Sequence, residues 1–177
     1  MIAAVLAGGL PALASGSGSS PPAVVARALT AARLAGEGRL TWWGFAAYEA
    51  RLWVAPGFIQ RAFDRHPLAL ELTYLRKFKS EDIVRTSLEE MRRGGSIDDE
   101  QAQRWEAQLR AVIPDVSPGD RLAGIHRPDR GASFYFNGQP AGEIADAKFS
   151  RLFFAIWLGA ATSQPGLRAA LLGDTPP

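Results

Sequence analysis

Arg39, Tyr48 and Arg51 lie in one short stretch that also holds Trp42, Trp43 and Trp53. Guanidinium and phenol groups beside large apolar faces can orient a small aromatic or acyl ligand in a cleft: the wall supplies affinity and a few placed polar groups fix the pose. The same residues also fit a surface ladder of ion pairs, Arg51 with the neighbours of Glu49, over a core filled by tryptophan. The two histidines, His66 before Pro67 and His126 beside Arg127, lack the spacing of a metal site and read as exposed or edge residues. No G-x-S-x-G elbow and no glycine-rich phosphate loop ahead of a helix occurs, so hydrolase and nucleotide readings have no support. Carboxylates cluster at Glu81-Asp82, Glu89-Glu90 and Asp98-Asp99-Glu100. All three clusters fall on expected helix starts or outer faces, where capping and solvation account for them without a catalytic pair. With no cysteine in the chain, a disulfide framework and any thiolate nucleophile or metal ligand are excluded. The residues alone thus predict no catalytic set, no metal and no cofactor.

Composition bounds what can position these groups. A chain of 177 residues, 47% hydrophobic and 21% charged, makes one domain with a core of its own. Twenty basic against eighteen acidic residues leave a net charge of +2, too little for a nucleic-acid surface. Met1 to Ala14 is apolar and uncharged but shorter than the roughly 20 residues a membrane span needs. It ends in Ala12-Leu13-Ala14, an A-x-A site, and reads as an export signal cut after Ala14, although no Lys or Arg precedes it. The expected location is therefore periplasmic or secreted; the alternative is a frayed alanine-rich tail. Residues 15–22 (SGSGSSPP) read as a flexible tether, which places the folded domain at 23–177.

Alternation then gives the strands. Glu37, Arg39 and Thr41 share one parity and Gly38, Leu40 and Trp42 the other, and beyond Gly44 the alternation resumes through Tyr48, Ala50, Leu52 and Val54. Two long strands bent at Gly44 are expected, ended by Pro56-Gly57. Leu68 to Phe78 is a third strand. Ser80 stands as the N-cap of a helix whose face is Ile83, Val84, Leu88 and Met91, and Ser96 as the cap of a second carrying Trp105, Leu109, Val112 and Ile113. Arg121 to Arg127 is a short strand, and Asn137-Gly138 is the strongest hairpin signal in the chain. Asp146 opens a helix, Ala147 to Leu158, apolar almost all round and so covered on two sides; Gly173 closes a last one.

The ordered set Gly36 to Phe45 (GEGRLTWWGF), Tyr48 to Trp53 (YEARLW), Leu70 to Ile83, FYFNG, FSRLFFAIWLG and LRAALLG resembles the bacterial chalcone isomerase-like proteins. The resemblance implies an α+β fold, an open-faced β-sandwich in which a long antiparallel sheet is covered by a layer of helices. In the plant enzyme of that superfamily, an arginine on the first strand steadies a phenolate. A threonine on the second strand and a tyrosine at the start of the next helix polarise a ketone, and an asparagine further along that helix lines the cleft. Matched by motif, Tyr48 stands at the threonine, Ile83 at the tyrosine and Glu90 at the asparagine. Arg39 falls within one position of the arginine, and a one-residue slip would turn it to the other face. Losing donors that stabilise developing charge costs about 2.7–4 kcal/mol each.

The resemblance therefore implies the non-catalytic, ligand-binding side of the superfamily. Arg39 and Tyr48 are expected as carboxylate-facing anchors, with Ile83, Leu88 and Trp105 as apolar lining and Glu90 at the cleft. The expected partner is a small apolar or fatty-acyl ligand, with no cofactor, no nucleic acid and no membrane span. Two rivals remain: an isomerase or intramolecular lyase acting on an enone in the same cleft, and a cell-envelope interaction module with a solid core.

Overall fold

A computed structural model describes residues 20–42 and 44–173, with the side chain of Trp42 excepted. The expected export signal and the tether as far as Ser19 lie outside the described residues. The chain runs α1 (Ala23–Ala28), β1 (Arg33–Trp42), β2 (Phe45–Val54), a 3-10 segment (Gln60–Arg65), β3 (Leu68–Tyr74), α2 (Ser80–Gly94) and α3 (Asp99–Val112). It continues through β4 (Arg121–Arg127), β5 (Gly131–Phe136), β6 (Gln139–Ile144), α4 (Ala147–Leu158) and α5 (Pro165–Leu172). The six strands form one antiparallel sheet in sequence order, each paired with its neighbour. One face carries Leu52, Leu70, Leu72 and Phe134 into the main core beneath α2 to α5. On the other, Trp53, Ala69 and Ile125 pack against Val24, Val25 and Leu29 of and beside α1. This is the open-faced α+β architecture that alternation and resemblance predict.

The two long strands expected on either side of Gly44 are present and pair antiparallel as a hairpin. Gly44 takes φ 77° in the turn, a conformation glycine adopts without steric cost. Trp42 pairs with Phe45 and Thr41 with Ala46, but Leu40 pairs with Tyr48, so Ala47 is an extra residue, a β-bulge. Without it, Arg39 would stand opposite Tyr48; with it, Arg39 pairs with Glu49.

Three sequence expectations are corrected by local geometry. The third strand stops at Tyr74. Ser80 is the first residue of α2 and does not cap it; Asp115, from beyond α3, accepts the Ser80 N–H at 2.8 Å. The α3 cap is Asp98, accepting from Gln101 N at 2.8 Å, because a carboxylate stands nearer the helix start than Ser96. Asp146 does cap α4, accepting from Phe149 N at 3.0 Å, and its second oxygen accepts the Trp105 indole N–H at 3.0 Å. One carboxylate thus fixes the start of α4 against α3.

His126 is fully buried, not exposed or at an edge. Its Nε2 lies 3.0 Å from the Asp64 carbonyl and its Nδ1 2.6 Å from Ser150 Oγ. A carbonyl only accepts, so Nε2 carries the proton. Burial holds the imidazole below its usual pKa, and the Ser150 hydroxyl, with one proton to give, lies within hydrogen-bond distance of both Nδ1 and the Gly131 carbonyl, the latter at 2.9 Å. A depressed folded pKa contributes stability above the unfolded value of 6.5, and that stability is lost as pH falls below it. Denaturant melts at pH 7.5 and 5.5 are expected to show wild-type protein losing stability at the lower pH, with a smaller loss in His126→Gln.

Candidate functional site

Between the helix-covered face of the sheet and helices α2 and α4 lies a cavity of about 750 Å³. Its floor is Leu70, Leu72 and Tyr74 of β3 with Leu122 and Gly124 of β4; its roof is Ile83, Ser87 and Glu90 of α2 with Phe153, Ile156 and Trp157 of α4. The strand alternation puts every second residue of β3 into this space, and Gly124 leaves room where any side chain would meet the Phe154 ring. Arg85, Thr86, Glu89 and Ser163 are its exposed lining residues and form the rim. The volume lies within the roughly 300–1,000 Å³ of small-molecule pockets, and the walls are mainly apolar.

The polar groups inside are few. The Tyr48 hydroxyl accepts from Trp157 Nε1 at 2.9 Å, leaving its own proton without a protein acceptor among the described residues. Tyr74, 3% exposed, packs edge-on to Tyr48 with ring centroids 5.9 Å apart. Burial pushes both phenols above their usual range, and the charge of nearby Glu90 pushes Tyr48 further. Both phenols therefore stay protonated and able to donate. Ser87 is already committed, donating to the Ile83 carbonyl at 2.8 Å.

Three of the sequence candidates, Tyr48, Ile83 and Glu90, come together on the cavity wall. Arg39 does not. It lies on the opposite face of the sheet, more than half exposed, with Nη2 2.6 Å from Glu49 Oε1, while Arg51 pairs with Glu37 at 3.0 Å. The Ala47 bulge is the reason, and the ladder of ion pairs is what these arginines form. Leu88 and Trp105 are core residues outside the lining; Trp105 packs on Phe149 with centroids 5.5 Å apart. Sequence reasoning missed Tyr74 and Trp157. Tyr74 was in view on the alternating face of β3, but α4 is apolar all round and gives no direction for Trp157.

The cavity has no catalytic metal group: among the described residues no cluster of three or more His, Cys, Asp or Glu is placed to hold an ion. What it offers is an apolar slot with two neutral phenols and three carboxylates, Asp82, Glu89 and Glu90, in its lining. A family model described as chalcone isomerase-like matches residues 29–173. The chain belongs to the chalcone isomerase-like family. It is similar to an uncharacterized protein of Haemophilus influenzae, 31% identical over 140 residues that span 79% of this chain and 67% of the relative. Among solved structures it is similar to a fatty-acid binding protein of Arabidopsis thaliana. The TM-score is 0.63 and the identity 15%, and the match covers 81% of this chain and 87% of that one. At that identity the likeness shows the shared fold alone.

Proposed function

We propose that this protein binds a small apolar or fatty-acyl ligand between the sheet and the helices and does no chemistry on it. The observation that carries this is the cavity itself, about 750 Å³ in a core otherwise closed by Phe, Trp and Leu side chains. Protein interiors pack at crystal-like density, so an apolar space of that size is a feature to be filled. The Arabidopsis neighbour's description as a fatty-acid binding protein supports the reading. Against catalysis stand Ile83, which has no hydroxyl, and Arg39, which faces away. A module with a solid core is at odds with the cavity. Export through Met1 to Ala14 belongs to the same proposal, and amino-terminal sequencing of the mature protein should begin at Ser15.

Titration with the neutral dye Nile red tests the binding reading. Saturable, one-to-one enhancement that a long-chain ligand reverses is expected; emission rising only linearly with protein would overturn it. An isomerase reading has one observation in its favour, the Tyr48 and Tyr74 hydroxyls inside the cavity. Turnover of a chalcone that Tyr48→Phe abolishes would replace the binding reading with that one.

A further inference from the structure

The charged residues lining the cavity are Asp82, Arg85, Glu89 and Glu90, three carboxylates to one cation. The cation is at the exposed rim and already engaged, with Arg85 2.8 Å from Asp82 and 4.0 Å from Glu89. No guanidinium or ammonium among the described lining residues therefore reaches the interior to receive a carboxylate. Glu90 does the reverse. Its Oε2 is buried with no hydrogen-bond partner. The nearest cation, Arg93 Nε, stands 3.8 Å away on an exposed side chain that donates instead to the Ala161 carbonyl. A buried acceptor without a donor costs about 1–3 kcal/mol, more for a charged one. Beside it the Tyr48 and Tyr74 hydroxyls can both donate and accept.

From this we infer that the cavity selects amphiphiles whose head group donates hydrogen bonds, and discriminates against a free carboxylate. The inference rests on the ligand-binding reading above and specifies its head group. A donor head satisfies the orphaned Glu90 oxygen while an alkyl chain fills the slot between Leu72 and Ile83. A carboxylate head meets Glu90 as a like charge with no cation inside to offset it. The donor can be a hydroxyl or amide, or an ammonium, and salt separates them: attraction of an ammonium to Glu90 weakens with ionic strength, whereas a neutral head is indifferent.

The test is displacement of Nile red by dodecanol, dodecylamine and dodecanoate, all below their micelle concentrations, from wild-type protein and from Glu90→Gln. Dodecanol and dodecylamine are expected to displace at about 10-fold lower concentration than dodecanoate, and Glu90→Gln to narrow that gap to about 3-fold or less. Raising salt should weaken dodecylamine alone. Dodecanoate binding tightest to wild-type protein overturns the inference, as does a ranking that Glu90→Gln leaves unchanged. Should the variant fail to fold, the wild-type ranking still decides. Displacement by none of the three instead overturns the binding reading, and this inference with it.

Discussion

Two tryptophans introduced from opposite walls, Leu72→Trp on β3 and Ile83→Trp on α2, are expected to weaken binding of a long-chain ligand by about 100-fold. Both positions line the cavity, one in its floor and one in its roof. Indoles from the two sides close the gap that the smaller side chains leave, so an alkyl chain no longer has a continuous channel. The fold should survive, because the added rings enter empty apolar space and do not displace packed neighbours. Each single variant should give a partial loss. Nile red titration alongside thermal melts checks both halves: binding falls and the melting temperature holds or rises. Unchanged affinity in the double variant would place the ligand elsewhere.

Valine at Gly36 is expected to destabilise the protein by about 3 kcal/mol, the upper part of the range for overpacking. Gly36 lies on the helix-facing side of β1, where a Cβ would overlap the carbonyl oxygens of Ala170 and Leu171 in α5. Those are backbone atoms and cannot turn aside. Gly38 makes the contrast, since a Cβ there meets chiefly the Leu167 Cδ1 at 2.7 Å and the Ala170 Cβ at 3.0 Å, and a leucine can change rotamer. Gly38→Ala should therefore cost about 1 kcal/mol. For a domain of this size the Gly36→Val loss is a fall of about 6–12 °C in melting temperature, measurable by calorimetry. Equal losses at the two glycines would mean that α5 does not sit on β1 as described.

These expectations show which parts of the molecule could be read from residue order. Period-two alternation suffices for a strand with one face in the core, so Leu68, Leu70, Leu72 and Tyr74 declare β3 and its orientation. Asn137 and Gly138 take φ 48° and 82°, the left-handed pair a tight hairpin requires, and their types announce it. Gly173 ends α5 at φ 72° for the same reason. The short helix α1 carried no such signal, because six residues hold a helix only by packing on Trp53 and Ile125.

At the site, the legible part was the side chains that share the cavity wall by parity or by helix face. Tyr48, Ile83 and Glu90 could be placed from motif and spacing. Arg39 could not, since one bulged residue at Ala47 reverses which face of the hairpin it joins, and no residue type there marks a bulge. Leu88 and Trp105 lie on apolar helix faces, and a helix face says that a residue is buried without saying whether it meets a neighbour or a void. Cavities are properties of three-dimensional fit, which is why Tyr74 and Trp157 emerged only when β3 and α4 were seen together.

Native mass spectrometry of the protein, released gently from the cells that make it, addresses the ligand most directly. A mass increment corresponding to one small apolar molecule per chain is expected, lost on organic extraction and absent from the Leu72→Trp, Ile83→Trp double variant. A bare polypeptide mass in every preparation, unaltered when long-chain alcohols or amines are added back, would contradict it.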